Sequence, residues 1–362
     1  MDIVASAVRT CLGDGAETFD AVVAGRCGVA DLPYISPDAV HVRRGYPIAG
    51  PSAEDPLRAS RLLTACVAEA VGSVRLAGRV VALVGTGLGE LRAVERAFVD
   101  DVPVAAERLH FADAVRAACP AAEVRTVSNA CGAGGHVLAL AQDMLELGDA
   151  DVVVVAATDS VTESMLAMIG RVADEPADRV RPFDVDRPGV LLGEGAAAFV
   201  LVRSAPAPLA RVLATGLSCD AHHETAPDPT GIRRAVDDAL ERSGRAPEDV
   251  DLVLAHGTGT ALNDPVEAGV LGAVYGDKPL VSGLKGAIGH TSGASALHSL
   301  DVAVRALRAG VCPPIVGLRT PLPEAAGLRL AGERTAAALR TAVVDAFGFG
   351  GVNAVTVVEA VR

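Results

Sequence analysis

The second half of this 362-residue chain repeats the pattern of its first half, and no other feature of the sequence constrains the fold more. An apolar run that leads into Gly-Thr-Gly at 85–87 has a counterpart that leads into Gly-Thr-Gly at 257–259. Val-Ser followed by a Gly-Ala pair occurs in 126–136 and again in 280–290, which aligns Cys131 with Lys285. The repetition predicts two tandem copies of one structural unit.

The repeated unit is a β-strand, a glycine turn and a helix. The run Asp151-Val-Val-Val-Val-Ala-Ala157 is typical of a parallel strand that is covered on both faces. An α/β fold is therefore predicted, with two mixed sheets packed around shared helices. We expect an N-terminal half over 1–203, which carries the cysteine, and a C-terminal half over 204–362, which carries the histidines and the lysine.

Cys131 lies between a β-type run at 124–127 and an apolar helical run at 136–147. A thiol at such an elbow sits at a helix N-terminus, where unpaired N–H groups and the helix dipole favour the thiolate and can bind an oxyanion. This arrangement is typical of a nucleophile. A small buried hydrophobic residue is the alternative interpretation, because most buried cysteines are of that kind.

Composition excludes several classes of protein. With 50% apolar residues the chain is compact and globular, and its net charge of −13 argues against nucleic-acid binding. Seven cysteines without CxxC spacing, and no signal peptide or membrane-length apolar run, predict a soluble cytoplasmic protein without a membrane anchor. His222 and His223 have no accompanying ligand set, so no metal site is predicted.

Four motifs together resemble the signatures of the β-ketoacyl synthases, the decarboxylating condensing enzymes of fatty acid and polyketide synthesis. They are Asn129-Ala-Cys-Gly-Ala-Gly134, His256-Gly-Thr-Gly-Thr260, Leu284-Lys-Gly-Ala-Ile-Gly-His290 and Phe347-Gly-Phe-Gly-Gly-Val-Asn353. The resemblance implies the duplicated thiolase fold, a five-layer αβαβα arrangement with two mixed sheets. One cysteine with two histidines is similar to the elongating subtype.

The resemblance also assigns expected roles. Cys131 would carry the acyl group as a thioester, and the N–H groups of Cys131 and Phe349 would form the oxyanion hole. His256 and His290 would donate hydrogen bonds to the enolate, while Lys285 would organise the histidines with Glu267 as its buried counter-ion. Other expected positions are pantetheine contacts at Thr258 and Thr260, a gate at Phe349 supported by Asp220, His223, Thr225 and Asn353, and an acyl pocket lined by Met165, Met168 and Ile169.

The expected partner is an acyl carrier protein whose phosphopantetheine delivers the substrates, so no cofactor of its own is expected. Docking would use local basic residues, for which Arg58, Arg61, Arg171 and Arg179 are candidates. A homodimer is expected, with a heterodimer that includes a chain-length-factor-like subunit as the alternative. Two other functions stay open: acyl transfer from Cys131 to another nucleophile without decarboxylation, and a subunit that only sets chain length.

Overall fold

Ten strands form the framework of the computed structural model, which describes residues 1–32, 35, 40–50, 55–101, 103–120, 122–171 and 177–361. The strands of the first half are β1 Asp2–Thr10, β2 Val80–Thr86, β3 Glu123–Ser128, β4 Val152–Asp159 and β5 Gly195–Val202. Those of the second half are β6 Ala210–Cys219, β7 Leu252–Leu254, β8 Leu280–Ser282, β9 Thr341–Gly348 and β10 Val352–Glu359. Shorter two-residue strands lie at Gly13–Asp14, Ala30–Asp31, Arg44–Gly45, Val311–Cys312, Arg329–Leu330 and Thr335–Ala336.

Both halves have the same sheet topology. The spatial order is β3-β2-β4-β5-β1 in the first half and β8-β7-β9-β10-β6 in the second. In each half the first three strands of this order pair in parallel and the last two pair antiparallel. The two sheets meet where β1 pairs with β6 at Asp2↔Arg211 and Ile3↔Ala210, which joins them edge to edge. The predicted α/β fold with duplicated mixed sheets is confirmed.

Helices cover and separate the sheets. They are α1 Gly15–Val23, α2 Arg58–Gly72, α3 Leu91–Asp100, α4 Ala112–Ala118, α5 Ala133–Leu147, α6 Glu163–Arg171, α7 Pro229–Ser243, α8 Asn263–Tyr275, α9 Lys285–Ile288 and α10 Ser295–Ala309. Apolar residues of α5 and α10 share one buried cluster with the inner faces of both sheets. The outer face of the first sheet packs on α2 and α4, and that of the second packs on α7 and α8, which completes five layers. Within the described ranges, no helix is long and apolar enough to cross a membrane.

The two central helices begin in the same way. Ala130 and Ser292 have positive φ values of 46° and 49°, and each is followed by one 3-10 turn that runs into α5 or α10. Measured from these turns, the counterpart of Cys131 is Gly293. The predicted alignment of Cys131 with Lys285 is therefore wrong. The reason is that the second half inserts α9 and the segment with His290 between β8 and α10, whereas β3 leads directly into the turn before α5.

Arg58 is a buried structural residue and cannot contact a carrier protein. Its Nε donates to Glu194 Oε2 at 2.8 Å and its Nη2 donates to Glu194 Oε1 at 2.6 Å. Both side chains are almost fully buried, at 1% and 0% exposure. A sequence that shows Arg58 at the start of a helix gives no sign of a carboxylate 136 positions away. Among the predicted basic residues, Arg58 therefore belongs to the core.

We expect Arg58→Met to lower the free energy of unfolding by about 3–5 kcal/mol, because it leaves the Glu194 carboxylate buried without its partner charge. The control is Arg9→Met, which removes the partly exposed ion pair with Glu69 and should cost no more than about 1 kcal/mol. Urea unfolding of both variants provides the measurement. Equal losses of unfolding free energy in the two variants would contradict the larger contribution expected from the buried ion pair.

Candidate active site

Cys131 lies at the turn that connects β3 to α5. The left-handed φ of Ala130 is a strained conformation for a residue with a side chain, and such strain is often found at functional sites. The thiol is partly exposed. The backbone N–H groups of Phe349 and of Cys131 itself lie near the sulfur and both lower the pKa of the thiol. Two N–H donors this close to a nucleophile can bind an oxyanion that develops on the carbonyl that the sulfur attacks.

The two predicted histidines lie beside this sulfur. His290 Nε2 is 3.0 Å from Cys131 Sγ. The rings of His256 and His290 meet edge to face, with their centroids 5.4 Å apart and their planes at 87°. His256 also packs on Phe347 at 5.5 Å. The segment with His290 is held to the first half, since the N–H of His290 donates to the carbonyl of Leu191 at 2.9 Å. One sulfur and two imidazoles from separate halves thus share one site.

Lys285 lies on the Nδ1 side of His256 and contacts both its ring and its backbone. Its ammonium lies 3.3 Å from His256 Nδ1 and also donates to the carbonyl of His256. An ammonium group can only donate, so Nδ1 of His256 is an acceptor and Nε2 carries the proton. This tautomer follows from the hydrogen bonds. The Nε2–H group of His256 is therefore a ready hydrogen-bond donor.

Glu267, the predicted counter-ion of Lys285, is fully buried and acts on the lysine through its charge. Its carboxylate accepts hydrogen bonds from the N–H groups of His256 at 2.6 Å and Gly257 at 2.8 Å, and from Asn263 Nδ2 at 2.8 Å. In the part of the chain that the structure describes, it forms no ion pair with Lys285. These three donors occupy its oxygens. Burial lowers the pKa of Lys285 to about 8, and the Glu267 charge opposes this fall. Glu267 thus fixes the backbone that carries His256.

Burial sets the protonation states of the site. Burial, followed by the charge of Lys285, lowers the pKa of both His256 and His290 well below the ordinary value, so both rings are neutral at pH 7. Burial also raises the pKa of Cys131 to about 11, and the nearby Lys285 charge offsets only part of this rise. The resting side chain is therefore a thiol. The predicted preference for the thiolate at the helix N-terminus is outweighed by desolvation.

The turn with the two predicted threonines is built by Asp264. The hydroxyls of Thr258 and Thr260 lie 2.8 Å apart, and Thr258 donates to Asp264 Oδ1 at 3.3 Å. The N–H of Gly259 donates to the same carboxylate at 3.1 Å. Sequence reasoning did not single out Asp264. Its position three residues before Glu267, in the first turn of a helix, is the signal that could have indicated a capping carboxylate.

Asp159 is a second residue that the sequence analysis missed. Its carboxylate accepts from Thr86 Oγ1 at 2.7 Å and from the N–H groups of Gly87 at 2.8 Å, Leu88 at 3.0 Å and Gly293 at 2.7 Å. Burial raises its pKa to about 6, and these donors oppose that rise. Asp159 therefore ties the turn after β2 to the start of α10. A carboxylate at the end of a strand rich in valine is the sequence feature that could have indicated a buried functional residue here.

The predicted gate divides into two groups. Phe349 is 50% exposed and is followed by Gly350 and Gly351, which have φ values of 84° and 75°. Asp220 accepts from Asn353 Nδ2 at 2.6 Å and its N–H donates to the Gly351 carbonyl at 2.8 Å, so these two residues anchor the glycine turn.

His223 and Thr225 lie in an exposed turn beside that loop. His223 Nδ1 accepts from the N–H groups of Thr225 and Ala226, both at 3.1 Å. This turn is joined to the loop of Phe349 by a backbone hydrogen bond, in which the N–H of Gly350 donates to the carbonyl of Glu224 at 2.8 Å. His223 and Thr225 thus shape a neighbouring turn, while Asp220 and Asn353 hold the gate loop itself.

The predicted acyl pocket is only partly enclosed by this chain. Ile169 is buried in a cluster with Val161, Leu166 and Tyr46, and Met165 packs against the same cluster. Met168 is 40% exposed, so it does not line an enclosed cavity within the single chain. The side chain of Arg171 lies outside the described residues. Arg61 and Arg179 are on the surface, paired with Asp55 and Asp178, respectively.

Comparisons with known proteins agree with this geometry. A family model described as the N-terminal domain of β-ketoacyl synthase matches residues 121–207, and one described as its C-terminal domain matches residues 209–319. Cys131 lies in the first stretch, and His256, Lys285 and His290 lie in the second.

Individual relatives cover different shares of the chain. The 3-oxoacyl-[acyl-carrier-protein] synthase 2 of Mycobacterium tuberculosis is 34% identical over 249 residues, which make up 64% of this chain and 60% of that protein. The chain thus spans about three fifths of this relative's length. Nodulation protein E of Rhizobium meliloti is 33% identical over 309 residues, 76% of this chain and 74% of that protein.

A solved structure resembles the whole chain. The ishigamide ketosynthase/chain length factor superposes with a TM-score of 0.90 at 28% identity, covering 100% of this chain and 99% of the other. The family models, the relatives and the solved structure all point the same way. The chain belongs to the β-ketoacyl synthase family.

Proposed function

We propose that this protein is an elongating β-ketoacyl-carrier-protein synthase. It would condense an acyl group held on Cys131 with a malonyl group held on acyl carrier protein, with loss of CO₂, in polyketide or fatty acid biosynthesis. The observation that carries this proposal is the 3.0 Å contact of His290 Nε2 with Cys131 Sγ, with His256 against the ring of His290 and the backbone N–H groups of Cys131 and Phe349 near the sulfur. A carbon–carbon bond-forming acyltransferase requires these groups together.

The first half-reaction loads the cysteine. Because the pKa of Cys131 is raised to about 11, the thiol needs a base, and neutral His290 Nε2 at 3.0 Å can accept its proton. The sulfur attacks the thioester carbonyl, and the N–H groups of Cys131 and Phe349 bind the oxyanion. Loss of one such donor typically lowers the rate by about 10²–10³-fold. Collapse of the intermediate expels the carrier thiolate, which takes the proton from His290.

The second half-reaction makes the new bond. The malonyl thioester loses CO₂, and the negative charge that develops on its thioester oxygen accepts a hydrogen bond from His256 Nε2–H. The carbanion attacks the acyl carbonyl on Cys131, and the sulfur leaves as a thiolate that takes one proton from solvent. Nδ1 of His290 is buried and has no hydrogen-bond partner among the described residues, so no hydrogen bond there fixes the tautomer of the ring. Proton exchange with solvent between the two half-reactions gives the Nε2–H form, from which His290 donates to the enolate as well.

Carrier-bound substrates fit the surroundings of the site. The paired hydroxyls of Thr258 and Thr260 offer hydrogen bonds to the amides of a pantetheine arm. Every step above uses protein groups alone, so we propose that no resident cofactor or metal takes part. Of the predicted basic residues, Arg61 on α2 and Arg179 stay in the proposal as carrier contacts, since both are on the surface.

We also propose that the protein works as a dimer. Strand β3 leads directly to Cys131 and forms an edge of the sheet, and four of its residues are exposed: Glu123, Arg125, Thr126 and Ser128. An exposed edge strand is a template for pairing with a second chain. A second copy of this chain is the first candidate. A chain-length-factor-like subunit is the other, and the similarity to a ketosynthase/chain length factor supports it.

Acyl transfer to Cys131 is the first test. Wild-type protein incubated with acyl-carrier protein should gain the acyl mass on Cys131, and Cys131→Ala should gain none because the nucleophile is gone. Cys119→Ala is the control, since Cys119 follows α4 in the apolar cluster on the outer face of the first sheet. Intact-protein mass spectrometry provides the measurement, followed by ¹⁴CO₂ release and β-ketoacyl product from labelled malonyl-carrier protein. Acylation without CO₂ release would instead support transfer to another nucleophile, and no acylation would support a chain-length-setting subunit.

His256→Ala should separate the two half-reactions. We expect a loss of about 10²-fold or more in decarboxylation, because the fixed Nε2–H donor is removed, with a smaller loss in acylation of Cys131. His41→Ala is the control because His41 is exposed. Single-turnover acylation and ¹⁴CO₂ release are measured in parallel. Equal losses in both steps would contradict this division of roles.

Lys285→Met should slow alkylation of Cys131 by iodoacetamide at pH 8 by several-fold, up to about tenfold. The lysine charge lowers the pKa of the thiol, so its removal reduces the thiolate fraction. The chain has only one other lysine, and Lys278→Met is the matched control, since Lys278 pairs with Asp251 on the surface. Peptide mass spectrometry of Cys131 gives the rate. An unchanged rate would show that the Lys285 charge does not act on the sulfur.

A further inference from the structure

A buried aspartate next to the active site has no hydrogen-bond partner among the residues that the structure describes. Asp345 of β9 is 2% exposed, and neither of its carboxyl oxygens has a partner in the described part of the chain. Its neighbours two positions away on the same face, Val343 and Phe347, belong to the apolar cluster between the second sheet and helices α7 and α8. A carboxyl group in such a place is costly unless it has a compensating role.

The fold places Asp345 at the edge of the sheet where the active-site residues gather. Strand β9 runs parallel to β7 with Val344 opposite Leu254, and β7 runs parallel to β8 with Leu254 opposite Ser282. Asp345, His256 and Lys285 follow the last paired residues of these three strands by one to three positions. The carboxyl ends of parallel strands meet at one edge. Asp345 therefore lies near His256 and Lys285.

The charged and titratable groups that face Asp345 come from two neighbouring helices. Glu267 on α8 and Lys285 on α9 act on it directly. The charge of Asp345 acts on Tyr275, two turns beyond Glu267 on α8, whose hydroxyl also has no partner within the described residues. From α7, Asp237 and Arg233 act on Tyr275. Among the described residues, Lys285 faces three buried carboxyl groups, those of Glu267, Asp264 and Asp345.

Counting charges assigns the proton. Three carboxyl groups face one ammonium, so charge balance favours a proton on at least one of them. Asp264 accepts from the N–H groups of Phe183 and Gly259, and Glu267 accepts three N–H hydrogen bonds, which oppose the rise in its pKa to about 7 that burial causes. Asp345 receives no hydrogen bond from the described residues, so the proton is placed best on Asp345. In agreement, burial, with the neighbouring Glu267 charge, raises the pKa of Asp345 well above its usual range.

We propose that Asp345 is a positioning residue for condensation: as a neutral acid it stores a proton next to Lys285 and so keeps Lys285 an ammonium ion that holds His256. The inference rests on the proposed function, because the ammonium acts there by fixing the His256 donor. When this cluster loses a proton, the O–H bond of Asp345 breaks first. The new carboxylate forms beside an existing positive charge, whereas deprotonation of Lys285 would leave Glu267 without a counter-charge. Solvent later returns the proton to Asp345.

Infrared spectroscopy of wild type and Asp345→Asn tests the stored proton without using activity. The carbonyl stretch of an un-ionised carboxylic acid is separate from carboxylate bands and shifts on ¹³C labelling of aspartate. Wild type at neutral pH should show one such band that is absent from the variant, and the band should fade at alkaline pH. Absence of this difference would overturn the proposal. If the variant does not fold, labelled wild type measured at the two pH values decides alone.

The pH profile of condensation tests the effect on Lys285. Without Asp345 as the first group to lose a proton, Lys285 should lose its charge at lower pH. The alkaline limb of the Asp345→Asn profile should therefore move down by about one pH unit, a shift that one nearby charge commonly causes. Asp237→Asn on the surface of α7 is the control and should keep the wild-type limb. An unmoved limb in Asp345→Asn would overturn the proposal.

These results also separate this inference from the proposed function. Wild type that forms no β-ketoacyl product would refute the condensation, while the infrared band would still report the state of Asp345.

Thermal unfolding checks the fold of the variant. Because the pKa of Asp345 is raised in the folded state, wild type loses stability as pH rises above the ordinary aspartate range. Asp345→Asn lacks this loss, so its stability relative to wild type should increase from pH 5 to pH 8, and a decrease would argue against a neutral Asp345.

Discussion

Close contact between the starts of the two central helices holds the active site together. A Cβ atom at Gly134 would lie 3.0 Å from the carbonyl oxygen of Gly293, and one at Gly293 would lie 2.5 Å from the nitrogen of Gly87. Only glycine allows backbones to approach in this way. This contact brings the turn with Cys131 against the segment that follows His290. A side chain at either glycine would push the two halves apart, and the sulfur and the imidazole would separate.

The same close packing makes the site dry, and dryness explains its electrostatics. Desolvation raises the pKa of the thiol and lowers the pKa of both histidines, so all three are neutral when a substrate arrives. Buried carboxyl groups in this region need hydrogen-bond donors to offset the free-energy cost of their desolvation. Asp159 and Glu267 each receive three or more donors, which fix turns that carry reacting groups. Asp345 is the buried acid of this region for which the described residues supply no such donor.

Features that depend on local sequence patterns could be predicted from the sequence. Features that depend on contacts between distant segments could not. The duplication, the α/β class and the elbow at Cys131 could be predicted because strand, glycine and helix signals recur in order. Arg58 was misplaced on a docking surface because its partner Glu194 is distant in sequence. Asp159 and Asp264 were missed because their role depends on which backbone N–H groups the fold brings to them. The exposure of Met168 likewise depends on the path of the whole chain.

The wrong alignment of Lys285 with Cys131 shows how the two halves came to differ in role. Both halves use the same strand order and the same turn before the central helix, so the scaffold alone gives equivalent positions at Cys131 and Gly293. Between strand and turn the second half has nine residues, 283–291, where the first half has only Asn129, and all nine are buried. A buried insertion between two packed sheets is rigid, and it can hold an ammonium and an imidazole at fixed positions only if carboxyl groups and backbone donors satisfy them. The nucleophile therefore comes from the half that kept the short connection, and the proton chemistry comes from the half that lengthened it.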